Sequence, residues 1–166
     1  WQDVINYEEK EQTCMQSLQA IYPRFGLNPL VAKVASEAIK DSKIANSSGW
    51  PYSNLLSAKQ AQLHCERKNN GIAIIEKVLG LNCLITDTNA SQDAKAFWQH
   101  TGLGASSRQA AIALNQEHSQ SEEKGELARR AIRKRLANIY QCQENLIELH
   151  PSGMSALTTA LGAIRK

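Results

Sequence analysis

The sequence is short of aromatic residues, which make up 5% of its 166 positions. That scarcity counts against a base-stacking surface for single-stranded nucleic acid. Charge of one sign is scarce too: the net value is +3 at pH 7, too small by itself to mark a polyanion binder. No apolar run approaches the roughly 20 residues of a membrane-crossing helix, so no membrane partner is expected. No basic-then-apolar leader opens the chain, and nothing in it points to secretion. Trp1 in place of a start methionine reads as an excerpt, or as a chain whose leader has been removed.

The cysteines are few and scattered. Cys14, Cys65, Cys83 and Cys142 form no CxxC pair. That pattern, in a chain that is not cysteine-dense, reads as reduced thiols in a cytoplasmic protein. Among the histidines only His64 has a neighbouring ligand type, Cys65, and adjacent residues leave a helix in different directions. No metal site is expected. The sequons at Asn46 and Asn89 carry little weight without secretion.

What is present suits a globular domain. Hydrophobic residues make up 42% of the chain, enough for a modest core. Residues 8–21 read as a polar helix with Met15, Leu18 and Ile21 on one side, ended by Pro23. Asn28 and Pro29 read as cap and first residue of the next helix. Residues 46–51 read as a loop, and Ser57 as the cap of a helix to about Lys68. Ile72–Val78 and Leu81–Thr86 are β-rich runs joined across Leu79-Gly80, which predicts a hairpin or two neighbouring strands. The stretch from Asp87 to Ser91 opens a helix to about His100, and Ser106 or Ser107 opens another.

Residues 117–125 are polar and read as an exposed linker. From Glu126 to Tyr140 the pattern is helical, with Ala128, Ile132, Leu136 and Ile139 on one face. Arg129, Arg130, Arg133, Lys134 and Arg135 then form a solvated face rather than a nucleic-acid patch. No internal repeat is present. The fold class expected is α/β, with mixed helices and short strands.

The most informative stretch comes last. Leu146-Ile147-Glu148-Leu149 is a short apolar run that stops at His150-Pro151-Ser152-Gly153. A helical pattern comes next, with Met154, Leu157, Leu161 and Ile164 on one stripe. The reading is a strand feeding a helix N-terminus through small residues. Free N–H groups and the helix dipole make such a junction suited to an anion, and glycine lets the anion approach the main chain.

The segment from Ala131 to Ile164 resembles the pyridoxal-phosphate enzymes of cysteine and methionine metabolism, above all cystathionine gamma-synthase. The matching residues are Arg130 to Ala137, Leu146 to Leu149, and Ser152-Gly153-Met154-Ser155-Ala156. Tyr7-Glu8-Glu9, Tyr22-Pro23-Arg24-Phe25, Phe97-Trp98-Gln99-His100-Thr101-Gly102 and Ser106-Ser107-Arg108 are similar to the fungal-type members, which carry a long N-terminal region. The resemblance implies residues 1–120 as an N-terminal α/β extension. It implies residues 121–166 as the helix-strand-helix opening of the large cofactor domain.

The resemblance also implies a site. Ser152 and the amides of Gly153 and Met154 would hold the phosphate of pyridoxal phosphate. A Tyr-x-Arg pair of the family reaches the phosphate of a neighbouring subunit. Tyr22-Pro23-Arg24 has that spacing, while Gly104-Ala105-Ser106-Ser107-Arg108 better matches the family's residues just after the pair, so either Arg24 or Arg108 fills the role. His150 either packs and caps or faces the cofactor. The family's reactive lysine falls downstream of the junction, so no catalytic residue is assigned here and the segment alone is expected to be inactive. The implied activity is gamma-replacement on a homoserine ester by cysteine, in a cytoplasmic homo-oligomer handling small sulfur amino acids. The competing expectation is a non-catalytic interaction or regulatory domain.

Overall fold

The computed structural model describes residues 1–9, 11–18, 26–68, 70–117 and 121–164. In chain order these form α1 (Gln2–Glu8), α2 (Gln12–Ser17), α3 (Pro29–Lys40), β1 (Ser48–Tyr52), α4 (Leu55–Lys68), β2 (Ala73–Val78) and β3 (Leu81–Thr86). They continue with α5 (Thr88–Thr101), α6 (Ser107–Ala113), α7 (Glu122–Tyr140), a 3-10 turn (Glu144–Leu146) and α8 (Gly153–Ile164). The class is mixed helix and strand. The chain divides into two units, Trp1–Glu117 and His118–Lys166.

The first unit is organised by a three-stranded antiparallel sheet in the order β1-β3-β2. The β-rich runs form the hairpin, with Val78 opposite Leu81 and positive φ at Leu79 and Gly80. Central β3 is buried from Cys83 to Thr86. Register places Ser48, Trp50 and Tyr52 on one face with Leu84 and Thr86, and Gly49 and Pro51 on the other with Ile85 and Cys83. Tyr52 meets Phe97 of α5 edge-on, ring centroids 6.3 Å apart. A Cβ on Gly49 would lie 2.5 Å from the Ala35 carbonyl oxygen of α3. Helices therefore cover both faces, α3 on one and α5 on the other.

Strand β1 corrects the loop expected at residues 46–51. Gly49 and Pro51 read as loop formers, yet β1 is an edge strand, where proline is tolerated because its missing N–H faces outward. The Pro51 carbonyl faces the same way. It accepts from Ala105 N–H at 3.0 Å and from Trp98 Nε1 at 3.1 Å.

Helix starts depend on side-chain capping. Asn28 Oδ1 accepts from Leu30 N–H at 3.0 Å, Asp87 Oδ1 from Ala90 N–H at 2.9 Å, and Ser106 forms a full capping box with Gln109. Ser57 is not the cap of α4: Asn54 Oδ1 accepts the Ser57 N–H at 2.9 Å, and Ser57 is buried. Of the helix expected over 8–21, the described residues form α2, Gln12–Ser17, while α1 before it ends at Glu8. Glu11 accepts the Cys14 N–H at 2.8 Å and so opens a new helix. Ile21 and Pro23 lie outside the described residues.

In the second unit α7 begins at Ser121, whose side chain accepts from Lys124 N–H, so helix extends into the stretch expected as linker. No strand forms at Leu146–Leu149. The N–H groups of Leu146 and Ile147 bond back to Gln143 and Glu144 carbonyls, tightening the start of the run into a 3-10 turn. Ile147 is extended, with φ −101° and ψ 115°, but no described strand offers it a ladder. No described helix is long and apolar enough to cross a membrane.

Candidate functional site

The junction before α8 is built from Ser152 outward. Its Oγ accepts from Ser155 N–H at 3.1 Å, and its carbonyl accepts from Ala156 N–H at 3.1 Å. These two bonds fix the first turn. They leave the Gly153 and Met154 N–H groups with no acceptor among the described residues. Both amides sit at the positive end of a 12-residue helix. A Cβ on Gly153 would meet no heavy atom within 4 Å, so the space beside these amides is open. Ser152, Gly153 and Met154 are all exposed. The arrangement can hold one small anion by two main-chain donors.

His150 stands nearby in sequence. Its Nε2 lies 3.5 Å from Glu148 Oε2, so the imidazole is held against a carboxylate on the approach to the turn. Arg108 belongs to the other unit, exposed in the first turn of α6. Tyr22 and Arg24 lie outside the described residues. The structure thus joins Ser152, Gly153 and Met154 as one local feature.

No cluster of three or more His, Cys, Asp or Glu side chains suited to a metal occurs among the described residues. All four cysteines are free. Burial pushes the Cys65 thiol up to about 11, with the charges of Asp93 and Glu66 adding to the rise. Burial, then Glu76, pushes Cys83 up to about 12. Neither is an activated nucleophile, since nucleophilic cysteines need a depressed pKa. Burial also raises the Tyr52 phenol, helped by Cys65. Its hydroxyl has no hydrogen-bond partner among the described residues. These are core groups.

A second concavity, which no sequence pattern announces, lies in the first unit. It is a cleft of about 550 Å³ between α3 and α5 against the N-terminal half of β1. Its lining residues are far apart in sequence. The helical spacing of Ser91, Lys95 and Trp98 on α5 is the one local signal it offers.

No family model matches the chain, and no solved structure matches it. A Saccharomyces cerevisiae protein provisionally named a cystathionine gamma-synthase is 25% identical over 135 residues, covering 70% of this chain and 21% of that protein. The chain therefore spans about a fifth of the length of the curated relative it matches. The match supports a cystathionine gamma-synthase-like relation.

Proposed function

We propose that this chain is part of a pyridoxal-phosphate enzyme of sulfur amino-acid metabolism, with the start of α8 as its phosphate cradle. The observation that carries the reading is the pair of open amides at Gly153 and Met154, in the segment that resembles cystathionine gamma-synthase. The weak match to the yeast protein supports the same direction. The residues present fit the phosphate: two free donors, a helix dipole and unobstructed space.

In this reading Ser152 sets the geometry of the turn and the Gly153 and Met154 amides hold the phosphate. When bound, the cofactor supplies an electron sink for bonds at an amino acid's carbon skeleton. Arg108 or Arg24, with Tyr22, would complete the phosphate contact from a neighbouring subunit of a cytoplasmic homo-oligomer. The substrates would be a homoserine ester and cysteine.

The test uses deoxypyridoxine 5′-phosphate, which retains the phosphate but cannot condense with surface lysines. The 15N-labelled chain is titrated with it and monitored by amide shifts. Shifts should concentrate at Gly153 and Met154, with a dissociation constant of about 1 mM, since two amides alone support weak binding. Gly153→Pro removes one donor at a position where proline starts helices well; it should abolish the shift at Met154 while α8 persists. Unchanged Gly153 and Met154 resonances in the original chain would sink the reading.

A further inference from the structure

The cleft in the first unit has a floor with unused main-chain groups. Pro51 has no N–H, and its carbonyl faces the outer edge of the sheet, where Ala105 N–H meets it. Main-chain direction alternates along a strand, so the N–H and C=O of Gly49 face that edge too. The Gly104-Ala105 segment covers the edge beside Pro51 and Tyr52. It supplies no partner to Gly49, and no other described residue bonds to those two groups. Yet Gly49 is buried and lines the cleft. Buried main-chain donors left unpaired are rare and costly.

The side chains around this donor have a definite chemistry. Ser91 Oγ donates to Ser48 Oγ at 3.0 Å, leaving the Ser48 proton to donate onward. Lys95 lies one helical turn beyond Ser91 and has no ion-pair partner among the described residues. Among the described residues the lining contains no Asp, Glu or Arg, and Leu27, Ile39, Trp50 and Trp98 supply apolar walls. One cation with two neutral donors matches a single negative charge. The described lining residues include no acidic group to serve as counterpart to a ligand ammonium. A volume of about 550 Å³ is within the usual range for a small-molecule site.

We propose that the cleft between α3, β1 and α5 binds a small organic monocarboxylate with an apolar body. The carboxylate is held by Lys95 Nζ, the Ser48 hydroxyl and the Gly49 N–H, and the apolar body lies against Trp50. This site is in the first unit and stands independently of the phosphate cradle at Gly153.

The test pairs acids with their neutral amides. The 15N-labelled chain is titrated with 4-methylpentanoate and 3-phenylpropanoate, then with the two corresponding carboxamides. The acids should shift the Gly49 amide and the Trp50 indole N–H saturably, and the amides should bind at least about tenfold more weakly. Lys95→Met, at an exposed position, should weaken acid binding at least about tenfold; Lys95→Arg should restore it. The dispersed amide spectrum reports that each variant is folded. The proposal is overturned by acid and amide binding equally, by undiminished binding to folded Lys95→Met, or by no saturable Gly49 shift up to about 10 mM acid.

Discussion

Tyr52, Leu84, Ile85, Val31 and Val34 are sealed inside the first unit, whereas Leu157, Leu161 and Ile164 of the second stand 52%, 52% and 80% exposed. Both units start their helices well. Asn28, Asp87 and Ser106 cap helices in one; Ser121 and Ser152 do so in the other. The units differ in whether a sheet is present to receive an apolar face. In the first, β3 lies between two strands with helices on both faces. In the second, Ala137 and Ser155 are the buried residues among those described. The exposed ion pairs of Glu126 with Arg129 and Arg133 add little stability. Local signals form a helix; burial of its apolar face is what stabilises it.

Thiol chemistry should show the contrast most strongly. Cys83 is fully buried and its thiol is pushed up to about 12, while Cys142 of the second unit is partly exposed. At pH 8 the thiolate fraction at Cys83 is about a thousandfold below that of an ordinary thiol. A disulfide reagent should therefore label Cys142 within minutes and Cys83 only after the unit opens. The raised values also fix the alkaline limit. Protonated Cys65 and Cys83 favour the folded state fully below about pH 9, their ordinary value. That contribution is lost as pH rises through about 11 and then about 12, so the thermal midpoint should fall across that window. Equal labelling rates at Cys83 and Cys142 would erase the distinction between the units.

Gly49→Ala should come next. The new methyl group would lie 2.5 Å from the Ala35 carbonyl oxygen, a main-chain atom that moves only if α3 leaves the sheet. Overpacking of this kind costs about 3 kcal/mol. Urea unfolding of the first unit should shift by that amount, and a midpoint within error of the original would mean that α3 packs less closely on β1.

Much of this was legible in the sequence, and the exceptions share a cause. Asn28, Asp87 and Ser106 declare helix starts because a cap acts within three residues. The hairpin is legible because Leu79-Gly80 sits between two β-rich runs. Strand β1 was not, since Gly49 and Pro51 are loop formers and only pairing with distant β3 makes them a strand. Leu146–Leu149 failed in the opposite sense, strand-like in composition but without a ladder. The Ser152-Gly153-Met154 turn was legible because it is contiguous. The cleft joins Ser48, Gly49 and Trp50 to Lys95 and Trp98 across more than 40 residues, beyond the reach of any local pattern.

The smallest expected effect bears on the second unit. Leu157→Gln with Leu161→Gln places polar groups on positions that are already half exposed. Glutamine has nearly the helix propensity of leucine, and Ser152 still caps the first turn. Little burial is lost, so global stability should change by under about 0.5 kcal/mol. Self-association should fall, because Met154, Leu157, Leu161 and Ile164 form one apolar stripe along α8. Urea unfolding and sedimentation on the same samples separate the two effects. A stability loss above about 2 kcal/mol would show that the stripe is covered in solution, and the second unit would then resemble the first.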